Sequence, residues 1–96
     1  MKSINFTAAA ECLKVLAHPQ RLKIIALLKN ELLTVGELAL KLDIQNHMTS
    51  EHLRLMQRCG FLKSKREGRK IYYQIAEAHL LELLGCVEKK FSKGKK

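Results

Sequence analysis

No apolar run in the 96-residue sequence approaches the roughly 18 to 20 residues that a membrane-spanning helix needs, and the N-terminus carries no basic-then-apolar leader. On both counts the expected location is the cytoplasm. Cysteine is scarce and odd in number. Cys12, Cys59 and Cys86 form no C-x-x-C pair, which argues against a secreted disulfide framework and for thiols at rest. There is no glycine-rich phosphate loop, no H-E-x-x-H, and no serine or cysteine within the signature of an activated nucleophile. Catalysis is therefore not expected, and no cofactor is implied.

Acidic residues are also few, 9 against 18 Lys and Arg, for a net charge of +9. The distribution says more than the total. Residues 54 to 70 hold seven of the basic residues and one acid, residues 89 to 96 hold five more and no acid, and the remainder of the chain is slightly acidic. Basicity confined to two segments points to a polyanionic partner rather than to solubility. The length suits one domain spanning residues 1–96, close to the size at which a single core only marginally stabilises itself and association helps.

Taken in order, Thr7 is suited to cap a first helix to about Ala17, with Ala9, Cys12, Leu13 and Leu16 at helical spacing. Pro19 fits the first turn of a second helix, where its missing N–H is harmless, and Leu22, Ile25, Ala26 and Leu28 form that helix's inner stripe to about Asn30. Ile24 and Leu27 make it apolar on more than one face, so it belongs at the centre of the domain. Thr34 and Glu37 have the spacing of a capping box, which starts a third helix running to Leu42. Asp43 to Gln45 then turn the chain into a fourth helix, with Asn46 as N-cap, and the pair reads as a helix-turn-helix.

On that fourth helix Met48, Thr49, His52, Leu53, Leu55, Met56 and Cys59 fall on one arc at about 100° per residue. The opposite arc carries His47, Ser50, Glu51, Arg54, Gln57 and Arg58, which hydrogen-bond or bear charge and have nothing apolar to bury. Gly60 stops the helix. Two short extended runs follow, Phe61 to Arg66 and Arg69 to Ile75, joined by a turn at Glu67 and Gly68. Lys63, Lys65, Arg66, Arg69 and Lys70 crowd this hairpin with only Glu67 opposing them, a charge no protein core accepts but a phosphate backbone does. Residues 76 to 92 form a last helix in which Leu80, Leu84, Val87 and Phe91 recur at heptad-like spacing, joined by Leu81 and Leu83. With Leu13 and Leu16 of the first helix, this stripe predicts a two-fold dimer interface. The tail from Ser92 to Lys96 is read as unstructured.

The segments Leu16-Ala17-His18-Pro19-Gln20-Arg21-Leu22-Lys23-Ile24-Ile25, Ser50-Glu51-His52-Leu53, Gly60-Phe61-Leu62 and Glu67-Gly68-Arg69-Lys70-Ile71-Tyr72-Tyr73 resemble, in order and spacing, the ArsR/SmtB-type bacterial repressors. The resemblance covers nearly the whole chain. It implies a mostly α fold with a small β-hairpin, a winged helix-turn-helix of order α-α-α-α-β-β-α. It also implies a homodimer that binds an inverted repeat in double-stranded DNA and is released by a metal or thiol signal. On these positions the recognition helix would offer Gln45, Asn46, His47, Ser50, Glu51 and Arg54 to base edges and nearby phosphates, with Arg58 as a further phosphate contact. The five hairpin cations would hold the flanking backbone as a wing. His18 and His52 are read as structural, hydrogen-bonded between helices.

The family's sensor positions are largely lacking. Its C-x-C pair would fall on Thr34 and Gly36. Its terminal-helix zinc site is matched in its first half by Glu77 and His79, but the second half falls on Lys90 and Lys93, which do not ligate zinc in ordinary surroundings, so no metal site is expected. Cys12 and Cys86, on the two helices assigned to the dimer, remain as a candidate thiol sensor pair, within or across subunits. The rival to an operator-binding repressor is a basic module that docks the same wing on RNA or an acidic protein.

Overall fold

The computed structural model describes residues 3–92, so Lys93 and the rest of the tail lie outside the described residues. Within them the order is α1 Phe6–Leu16, α2 Pro19–Leu28, β1 Leu33–Thr34, α3 Val35–Leu42, α4 Asn46–Arg58, β2 Leu62–Glu67, β3 Lys70–Ile75 and α5 His79–Phe91. The expected helices and hairpin are all present. One strand was not expected: Leu33 and Thr34 pair antiparallel with Tyr73 and Tyr72, giving a three-stranded sheet of order β1-β3-β2. Two residues are too few for a period-2 pattern, and only the arrival of β3 beside them makes them a strand.

Local chemistry fixes the helix ends. Asn5, not Thr7, caps α1, its side chain accepting the Ala8 N–H at 2.9 Å. Pro19 occupies the first turn of α2 behind the His18 cap. The capping box of α3 is complete, with Thr34 Oγ1 accepting from the Glu37 N–H at 3.2 Å and Glu37 Oε1 accepting from the Thr34 N–H at 2.9 Å. Asp43 ends α3 at φ 59°, a left-handed conformation that aspartate tolerates better than most residues, and so bends the chain toward α4. The N-cap position of α4 is Gln45, one residue earlier than expected. Its side chain makes no cap hydrogen bond, although its carbonyl accepts from Thr49 Oγ1 at 3.0 Å.

The core gathers Ile24, Ile25 and Leu28 of α2, Leu38 and Leu42 of α3, and Leu53 and Met56 of α4, closed by Leu33 and Leu62 of the sheet. α2 packs against α1, α3, α4, α5 and β3, the central position its several apolar faces demand. Ala26, expected within, is exposed, because the buried stripe runs through Ile24 instead.

The same core takes in three residues expected at a dimer interface. Leu16, Leu80 and Leu84 are 4%, 4% and 6% exposed within one chain, so they stabilise the monomer's own interior. The α5 stripe is wide enough for two partners. One side, Leu80 and Leu84, faces the core, while Leu81, Leu83 and Phe91 remain exposed, with Val87 between. On α1 only Leu16 is buried, leaving Leu13 at 57% and Phe6 at 70% exposed.

Candidate nucleic-acid interface

α4 is amphipathic because Thr49, His52, Leu53 and Met56, three or four residues apart, all turn inward. The outer face then follows from geometry. Gln45, Asn46, His47, Glu51, Arg54 and Arg58 are exposed and Ser50 is partly so. Met48 departs from the expected buried arc at 45% exposed, because the inward side begins one residue later, at Thr49. Arg54 Nη1 lies 3.5 Å from Glu51 Oε1, an exposed pair one turn apart that orients the guanidinium more than it stabilises the helix.

Beside this face stands the wing. β2 and β3 pair in continuous register from Leu62↔Ile75 to Glu67↔Lys70, so the two-residue loop is Gly68-Arg69, with Gly68 at φ 64°. All five wing cations, Lys63, Lys65, Arg66, Arg69 and Lys70, are exposed. Glu67 engages one of them, with Lys65 Nζ 3.4 Å from its Oε2. Gly60, at φ 83°, turns the chain from α4 into β2, and Gln57 Nε2 donates to Ser64 Oγ at 3.4 Å. The first strand of the wing therefore starts next to the outer face of α4.

Behind α4 lies a polar junction that was only partly legible. His18 and His52 are not bonded to each other; their ring centroids are 4.8 Å apart at a tilt of 57°. His18 Nδ1 accepts the Gln20 N–H at 3.1 Å, while His52 Nδ1 accepts from Arg21 Nε at 3.0 Å. Arg21 Nη1 also donates to the Val15 carbonyl at 3.0 Å. Burial, then Arg21 and His18, hold the His52 pKa below its usual 6.5. Arg21, which composition and periodicity did not single out, thus joins α1, α2 and α4.

Within the chain the thiol beside Cys12 belongs to Cys59, while Cys86 is exposed on α5. Glu77 Oε2 lies 2.6 Å from His79 Nδ1, and this mutual contact lowers the Glu77 pKa and raises that of His79. The two side chains satisfy each other on the surface, and Lys90 closes the far end of α5 with no ligand to add.

A helix-turn-helix with an exposed polar helix and a basic β-ribbon beside it defines the winged helix-turn-helix class of DNA-binding proteins. A family model for bacterial regulatory proteins of the arsR family matches residues 18–64. The chain is 40% identical over 84 residues to the biofilm growth-associated repressor of Agrobacterium fabrum, covering 84% of this chain and 72% of that protein. The crystal structure of Mycobacterium tuberculosis Rv0081 matches with a TM-score of 0.82 at 31% identity, covering 93% of this chain and 90% of that one. The fold is also that of the homodimeric winged helix-turn-helix DNA-binding domain Mb0332 from Mycobacterium bovis, with a TM-score of 0.81 at 24% identity over 100% of this chain and 93% of that one. This chain belongs to the arsR family and is a transcriptional regulator of the winged helix-turn-helix type.

Proposed function

We propose that the protein is a cytoplasmic, homodimeric repressor that reads an inverted-repeat operator and has no catalytic activity of its own. The observation that carries the proposal is the outer face of α4, lined by Ser50, Glu51 and Arg54 and flanked through Gln57 and Ser64 by five exposed wing cations. Ser50, Glu51 and Arg54, with Gln45, Asn46 and His47 at the helix start, meet base edges in the major groove. Lys63, Lys65, Arg66, Arg69 and Lys70 then neutralise flanking phosphates, joined by Arg58. The repressor relative supports the direction of regulation, and the homodimeric neighbour supports the assembly. The dimer surface is re-assigned to Phe6, Leu13, Leu81, Leu83, Val87 and Phe91, which one chain leaves wholly or partly exposed.

Fluorescence anisotropy with the DNA flanking the protein's own reading frame tests this, against a random duplex and a single-stranded RNA of equal length. Preference for one duplex carrying an inverted repeat is the expected result. Equal affinity for all three would instead support a basic docking module without operator specificity.

A further inference from the structure

His52 sits on the inner side of the same helix turn that carries Glu51 and Arg54 outward, so its contacts, with the packing of Thr49, Leu53 and Met56, bear on how the recognition face is seated. Its ring lies against His18, and its hydrogen bond comes from a guanidinium. Arg21 donates Nε to His52 Nδ1 and Nη1 to the Val15 carbonyl, both at 3.0 Å, tying α4 to the end of α1 across α2. An Nδ1 that accepts from Arg21 carries no proton, so the bond exists only with neutral His52 protonated at Nε2. Adding a proton at Nδ1 sets one donor against another and one cation against a second. The charged and titratable groups facing the ring are Arg21 from α2, His18 from the α1–α2 junction, and Glu51 from α4 itself. Only Glu51 favours protonation.

We propose that Arg21 and His52 are positioning residues for DNA reading and form a latch that seats α4 while His52 is neutral and releases it on protonation, weakening operator binding in acid. The inference rests on the DNA-binding role of α4. Burial and the neighbouring Arg21 and His18 hold the His52 pKa below the usual 6.5, so the latch opens at a lower pH than an unperturbed histidine would set. The predicted sign is unusual. A cation added on the DNA-facing side of α4, where His47 is exposed, would instead tighten binding to a polyanion.

The test measures operator and random-duplex affinity from pH 8 to pH 5 for the wild-type protein, His52→Asn and Arg21→Lys, and reads the junction as the difference between wild type and His52→Asn at each pH. Asparagine keeps a neutral acceptor near the position of Nδ1, whereas lysine keeps the charge but cannot bridge two acceptors in the guanidinium's geometry. The expected result is about a tenfold fall in operator affinity with acid, on the scale of one lost charge-assisted hydrogen bond, with a smaller change on random duplex. His52→Asn should lack that fall, and Arg21→Lys should be weak at every pH. Flat binding by the wild-type junction, or the same acid loss in His52→Asn, overturns the latch. Histidine-ring and α4 amide NMR on the free protein separates the two levels. If α4 loses protection as His52 titrates while no duplex binds at any pH, the latch stands and the DNA reading falls; unchanged protection overturns the latch.

Discussion

Cys59, at the C-terminal cap of α4, has the Cys12 thiol of α1 as its neighbour, and burial together with that neighbour pushes the Cys59 pKa up to about 11. A thiol so protonated is a poor nucleophile, because only the thiolate attacks. Cys86 is exposed on α5. Alkylation at pH 8 followed by peptide mass spectrometry should label Cys86 early and Cys59 last. Early labelling of Cys59 in folded protein would contradict its packing. Cys12→Ser and Cys86→Ser should leave DNA affinity nearly unchanged in reducing buffer, since neither residue lies on the α4 outer face or the wing.

The dimer prediction depends on which side of α5 is altered. Leu83 is exposed in the single chain, so Leu83→Lys should keep the fold and shift the species from twice 11.0 kDa toward 11.0 kDa in sedimentation at micromolar concentration. Leu84 is core, and Leu84→Lys should lower or abolish the melting transition, since burial of one such side chain is worth roughly 1.5 to 3 kcal/mol before the charge is counted. A wild-type mass of 11.0 kDa would end the dimer proposal.

That distinction marks what the sequence could and could not disclose. The capping box at Thr34 and Glu37, the stop at Gly60 and the basic hairpin depend on neighbours a few residues away, and each was legible. Leu80 and Leu81 are both leucines on one helix, and only the packing of α5 against α2 decides which turns inward. The β1 bridge, the Arg21 contacts and the Cys12–Cys59 pairing are likewise long-range, joining residues that no local period connects. The outer face of α4 was readable because amphipathic periodicity specifies the exposed side along with the buried one. At its edge, Met48, the same periodicity misplaced a residue by one position.

Stability should also depend on pH through His52. Its folded pKa is below the 6.5 of the unfolded chain, so the unfolded state binds more protons in that window. The contribution is full above pH 6.5 and is lost as pH falls from there through the folded pKa. His79, raised by Glu77, acts with the opposite sign: its contribution is present below 6.5 and lost as pH rises through its folded pKa. In a His79→Gln background, urea midpoints should therefore decline as pH falls below 6.5, and His52→Asn should remove most of that decline. An undiminished decline in the double variant would assign the effect to other groups.

Wing and recognition-helix variants should fail in different ways, because phosphate contacts supply affinity while base-edge contacts supply discrimination. Salt separates them. Each wing cation that neutralises a phosphate displaces condensed counterion, so losing one from both subunits of a dimer should flatten the log–log salt dependence by about two units. Arg69→Ala should weaken operator and random duplex alike. Lys65→Ala should do so less, since Lys65 is already engaged by Glu67 at 3.4 Å. A base contact from Arg54 or Ser50 is worth about 1 to 3 kcal/mol against the wrong base, so its alanine variant should bind operator and random duplex more nearly equally. Glu51→Ala, which removes the carboxylate 3.5 Å from Arg54, should erode discrimination through the loss of that orientation. Two-fold symmetry further requires half-sites about one helical turn apart, which hydroxyl-radical footprinting resolves. If Arg54→Ala and Ser50→Ala both preserve the specificity ratio while wing variants destroy it, α4 is not the helix that reads sequence.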